Sequence, residues 1–156
     1  MRRSVTKGLI IGGIGLAALV GVDFSASAAN EPEKIIAYRK AVMTAMGDHL
    51  DAMSSFAKGR TTSKAGFVGW TEAIIAGSKE IPSVFPKGTE KGGDTIADPA
   101  IWQKTDEFNK IVVQVVAAGE KLLAAVKGSD NQVLTNEIEN MSRACAICHE
   151  PFRVNR

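Results

Sequence analysis

Apolar residues recur by alternating threes and fours in four separate stretches of this chain, and almost nowhere do they alternate as a strand would. Such spacing gathers each set on one face of an α-helix. The first stretch opens with Asn30 as a cap, Pro32 in the first turn and Glu33 at the capping-box position. Its stripe is Ile36, Arg39, Met43, Met46, Leu50, Met53 and Ala57, and Gly59 follows where a helix stops. A second stretch starts near Ser63, carries Phe67, Trp70, Ile74 and Ile81, and breaks at Pro82. Proline and glycine then punctuate residues 82–98, a long loop rather than a linker, since neither flank is large enough to fold alone. Asp98 and Pro99 start a third helix with Ile101, Thr105, Phe108, Val112, Val115, Gly119, Leu122 and Val126 on its face, ending at Gly128. The fourth begins at Ser129 or Asp130 and shows Leu134, Ile138, Met141, Cys145, Cys148 and Phe152. Four single stripes predict an all-α fold, an antiparallel four-helix bundle with the stripes facing one another.

The first 28 residues stand apart from this pattern. Arg2, Arg3 and Lys7 precede an apolar, glycine-rich run from Gly8 to Val22, and Ala26-Ser27-Ala28 closes the segment. A basic start, a short apolar run and an A-x-A site predict a cleavable export signal over residues 1–28, leaving the bundle in residues 29–156. The run is shorter than the roughly 20 residues that a bilayer span needs. Cleavage lowers Lys plus Arg from 19 to 16 and Asp plus Glu from 17 to 16, so the exported chain is neutral. A neutral chain gives no reason to expect nucleic acid as a partner, or a stable membrane anchor after cleavage. The predicted location is the periplasm, an oxidising compartment.

Cys145-Ala146-Ile147-Cys148-His149 is the c-type haem attachment pattern. On a helix, residues three and four apart share a side. Two thiols and an imidazole therefore converge on one object: the thiols form thioethers with the haem vinyl groups, and His149 offers its ring to the iron. A thioredoxin-type redox pair expects a βαβ setting, which is missing, and a structural zinc site wants four ligands, to which only His49 could be added. The haem also accounts for a core short of bulk: the chain has 6 Phe, 2 Trp and 1 Tyr, and its stripes run to Ala, Gly and Met. Opposite His149, the first helix offers Met43, Met46 and Met53 on its inner face, with His49 nearby; a methionine stripe is otherwise plain core filling.

The chain resembles the class II cytochromes c with the cytochrome c′ fold. The resemblance rests on Cys145 to Arg153, on Tyr38-Arg39-Lys40, on the loop Phe85-Pro86-Lys87-Gly88-Thr89-Glu90-Lys91-Gly92-Gly93, and on Ile101-Trp102. It implies one covalently attached haem c with iron held by His149. In the low-spin branch a methionine is the sixth ligand, and the matching position here is Met43; the competing assignments are a neighbouring methionine or an empty site. The resemblance also puts Arg39 and Lys40 near the haem propionates, with Lys40 standing where a glutamine is usual, and brings Thr89 and Glu90 toward the haem. Arg153 lies one turn beyond His149, over the proximal ligand. Pro151 predicts a kink or fray at the end of that helix.

Two functions from different classes follow. With His149 and Met43 both ligating, the iron is six-coordinate and low-spin, and the protein carries single electrons to redox partner proteins. With the distal site open, Met43 is a neighbour or a displaceable lid, and the protein binds nitric oxide or carbon monoxide; a weaker third reading is copper held by Met43, Met46 and His49. Relatives of this kind are often homodimers through the first two helices. No nucleophile–base pair stands out, so no catalytic residue is assigned and the chain is not read as an enzyme.

Overall fold

A computed structural model describes residues 31–128 and 130–154. The predicted export signal lies outside the described residues. Helix α1 spans Glu31–Ala57 and α2 spans Phe67–Glu80, running into a 3-10 turn at Ile81–Val84. A short α3 at Ala100–Gln103 precedes α4, Thr105–Gly128, and α5, Asn131–Phe152. Among the described residues the sole β-type pairing is an isolated bridge between Ala97 and Arg153. No described helix is long and apolar enough to cross a membrane.

The four long helices form the predicted antiparallel bundle. Each packs on two neighbours: α1 on α2 and α5, and α4 on α2 and α5. Helices α1 and α4 are thus diagonal, and so are α2 and α5. Predicted stripe residues form the core, with Ile36, Met53, Leu122, Leu134, Ile138 and Met141 all nearly inaccessible. Each such side chain contributes about 1.5–3 kcal/mol by leaving water.

The seam between α1 and α2 repeats every seven residues. Thr71 Oγ1 lies 3.7 Å from Met53 Sδ, and Ser78 Oγ lies 3.7 Å from Met46 Sδ. One further step of seven along each segment brings the Arg39 guanidinium 4.5 Å over the Phe85 ring. The two hydroxyls also donate to carbonyls one turn back, Thr71 to Phe67 and Ser78 to Ile74, both at 2.7 Å. Both residues are buried, and both belong to the true inner stripe of α2: Phe67, Thr71, Ile74, Ser78 and Ile81.

Glycine permits two close helix approaches. A Cβ on Gly77 would meet Met46 Sδ at 2.7 Å, and one on Gly119 would meet Ile75 Cγ1 at 2.8 Å. A thioether end can swing away, but a β-branched carbon near its own backbone cannot. Gly119→Ala is expected to destabilise the protein by about 1–2 kcal/mol despite its better helix propensity. Gly77→Ala should cost less, as urea unfolding of the two variants will show.

Three boundaries differ from expectation. Helix α2 begins at Phe67 rather than Ser63, because Gly66 takes a left-handed φ of 86° and reverses the chain there. The predicted third helix is interrupted at Lys104, whose φ and ψ of −122° and 47° are not helical. Trp102 Nε1 donates to the carbonyls of Phe85 and Pro86 at 3.0 and 3.1 Å, which ties α3 to the loop while α4 starts anew. Helix α5 runs through Pro151 to Phe152 without the predicted fray. Proline here removes one hydrogen bond only, and the turn is held by the buried Phe152 ring and by backbone bonds from Asp98 N–H to Phe152 O (2.9 Å) and Val154 N–H to Ile96 O (2.8 Å).

Candidate haem site

Helix α5 presents the attachment motif because of how it starts. Asp130 accepts from the N–H groups of Gln132 and Val133, both at 2.9 Å, fixing the helix entry. From there Leu134, Ile138 and Met141 lock the inner face, and the same face carries Cys145, Cys148 and His149 into a cavity of about 650 Å³. All four long helices wall it. Met43, Met46 and Leu50 come from α1, Ile74 and Ser78 from α2, Phe108 and Val115 from α4, and residues 94–97 of the long loop close one side. Charged side chains also line it: Lys40, Asp48, Asp51, Asp94 and Arg153.

The donor set fits a covalently bound haem. Two free, half-buried thiols and an imidazole share one wall, faced by aliphatic and thioether groups from the helices across the bundle. Burial pushes the Cys148 thiol up to about 11, with Cys145 adding to the shift, and burial raises Cys145 as well. Among the described residues no group of three or more His, Cys, Asp or Glu side chains is placed to hold a metal ion, as a structural zinc site would require. Burial, then the Arg153 charge, holds the His149 imidazole below its ordinary value, which favours the neutral ring that ligates iron.

Arg39, Lys40, Met43 and Arg153 all line this cavity with the attachment residues. Arg39 is 2% exposed and its hydrogen bonds go to neutral oxygens: Nη1 donates to Val84 O (3.3 Å) and Thr89 Oγ1 (2.9 Å), and Nη2 to Thr89 O (3.0 Å) and Thr95 Oγ1 (2.8 Å), with the Glu90 carboxylate close enough to favour its charge. It pins the loop to α1. Lys40 Nζ reaches Gly93 O at 3.2 Å. Thr89 and Glu90, which the resemblance brings toward the haem, do not line the cavity. Thr89 is buried behind Arg39 and donates to Pro86 O at 2.8 Å, and the Glu90 carboxylate curls back onto the Gly88 N–H at 3.0 Å.

His49 stacks on Trp70, with ring centroids 6.1 Å apart, and does not line the cavity, so Met43, Met46 and His49 do not meet as a copper site would need. Met53 is buried away from the cavity and Met46 is engaged by Ser78, leaving Met43 as the thioether on this wall without a hydroxyl contact among the described residues. Sequence reasoning missed Ser78 and the 94–97 wall. Filling the three-four spacing of α2 through its polar positions would have found Ser78.

Bundle and site together define a c-type haem protein that carries one haem c, joined through Cys145 and Cys148. Residues 34–153 match the family model described as Cytochrome C′. A cytochrome c′ of Pararhodospirillum photometricum is 34% identical over 122 residues, spanning 78% of this chain and 98% of its own. The solved cytochrome c′ of Rubrivivax gelatinosus superposes with a TM-score of 0.72 at 28% identity, covering 80% of this chain and 98% of that one. A nitric oxide complex of a cytochrome c prime variant from Alcaligenes xylosoxidans gives 0.74 at 26% identity, covering 82% and 99%. The chain belongs to the cytochrome c′ family.

These relatives overturn the expectation of a low-spin His/Met electron carrier. The Pararhodospirillum, Rubrivivax and Alcaligenes relatives are cytochromes c′, and a variant of the Alcaligenes protein was solved with nitric oxide bound. Sequence spacing put thioethers on the inner face of α1, but it could not tell a ligand from a neighbour of the iron.

Proposed function

We propose that this chain is an exported haem c protein that binds a diatomic gas, nitric oxide or carbon monoxide, at an open distal face. The observation that carries this reading is the match to cytochromes c′ over residues 34–153, and the cavity between His149 and the apolar and thioether groups of α1 and α2 has the lining that a haem needs. The nitric oxide bound in the Alcaligenes relative supports it. When bound, the haem supplies an iron able to take up the gas. His149 would hold that iron, Cys145 and Cys148 would fasten the haem to α5, and Met43, which lines the cavity from α1, would be a side chain that an entering gas passes or displaces. Location in the periplasm is part of the reading, supported by the signal-like residues 1–28 and the covalent attachment motif. The protein is a binder, with no catalytic residue assigned.

Absorption spectra of both oxidation states, with and without carbon monoxide, test this. A high-spin ferrous spectrum that converts on adding the gas supports an open site; a low-spin spectrum unmoved by either gas refutes it. Met43→Ala widens the distal wall and should speed carbon monoxide association by about tenfold, in line with removing a steric gate worth ~1.4 kcal/mol. Stopped-flow mixing reads this directly.

A further inference from the structure

Ser78 is a buried hydroxyl on the wall across from the haem-bearing helix. It is 1% exposed and lines the cavity from α2, the helix diagonal to α5. Met43, Met46, Leu50, Ile74 and Ile81 line the cavity beside it, and the carboxylates of Asp48 and Asp51 line it from α1. We propose that Ser78 is a specificity-determining residue, donating a hydrogen bond to a diatomic ligand held in this cavity and favouring nitric oxide over carbon monoxide. The inference rests on the gas-binding reading above and adds to it which gas is held longer.

The hydroxyl is free to turn without leaving a buried group unsatisfied. Its present acceptors are Ile74 O at 2.7 Å and the Met46 thioether at 3.7 Å. The Ile74 carbonyl is one turn before Ser78 in an α-helix, where the Ser78 N–H already serves it. A thioether is a weak acceptor and loses little when the proton leaves. The rotation is therefore cheap, and a ligand carrying negative charge at its outer atom gains a donor. Distal donors of this kind decide which gas a haem retains.

The bundle contains its own control. Thr71 makes the same pair of contacts one heptad away, to Phe67 O at 2.7 Å and Met53 Sδ at 3.7 Å, but does not line the cavity. The experiment uses the ferrous holoprotein and three variants: Ser78→Ala, Ser78→Thr and Thr71→Ala. The readouts are the infrared stretch of bound carbon monoxide and the dissociation rates of both gases. In Ser78→Ala the stretch should move to higher frequency, and nitric oxide loss should speed up about three- to tenfold relative to carbon monoxide loss, the size of one hydrogen bond. Ser78→Thr should restore both values, and Thr71→Ala should leave both unchanged. An unmoved stretch in Ser78→Ala, or the same shift in Thr71→Ala, overturns the role of Ser78 while gas binding stands. Wild-type protein that takes up neither gas overturns the gas-binding reading itself, and the role of Ser78 with it.

Discussion

With Cys145 and Cys148 both replaced by Ser, haem is no longer carried through denaturation: acidified butanone extracts all of the pigment, and the polypeptide mass falls by one haem. The wild-type chain keeps its colour under the same treatment. The two thiols sit on consecutive turns of one face of α5 and open into one cavity, so a single flat group reaches both. Each single variant retains one thioether and should keep the pigment through extraction, with a shifted spectrum. Mass spectrometry of the intact chain separates the three cases. If the double variant still carries haem mass, the site of attachment lies elsewhere.

Arg39→Leu is the second large effect. The substitution keeps the aliphatic bulk but removes every bond that fastens the loop to α1 from this position. The carbonyls of Val84 and Thr89 and the hydroxyl of Thr89 lose the Arg39 donor, while Thr95 Oγ1 keeps the Ala97 N–H at 3.2 Å. Thr89 is 1% exposed, so its groups are not rehydrated without opening the loop. Buried polar groups left without partners cost about 1–3 kcal/mol each, and partial relaxation brings the expected loss to about 3–4 kcal/mol. The guanidinium also stacks on Phe85 and stands 5.7 Å over Trp102, contacts that leucine does not replace. Arg39→Lys should recover less than half of the loss, because one ammonium cannot serve both the Thr89 and Thr95 sides. Urea unfolding of the holoprotein measures the stability, and protease cutting within residues 85–97 reports the loop.

The two predictions differ in how far the sequence alone supports them. Cys145, Cys148 and His149 were legible because helical spacing and covalent chemistry demand one local pattern. The bundle was legible for a similar reason, since each stripe is a local periodic signal. Arg39 was legible as a member of an inner stripe, but its partners were not. They lie 45 to 56 residues away in a loop without periodicity, and only the folded chain brings them together. The break at Lys104 was hidden likewise, because it depends on the Trp102 indole reaching back to Phe85 and Pro86. Pro151 misled for the opposite reason: a local rule against proline in helices was outweighed by pairing with residues 96–98. Ser78 and Thr71 were passed over because the second stripe was read through Phe67, Trp70, Ile74 and Ile81 alone, whereas each hydroxyl is satisfied within the helix and its residue fits the inner face.

The cavity carries a consequence for the life of the protein before it is functional. Until a haem fills it, the cavity of about 650 Å³, with Lys40, Asp48, Asp51, Asp94 and Arg153 on its walls, admits water between the helices. A polypeptide that misses its prosthetic group keeps a wet, poorly packed interior and is the more open to proteolysis. Maturation thus doubles as proofreading, because chains that have received their pigment are the better protected.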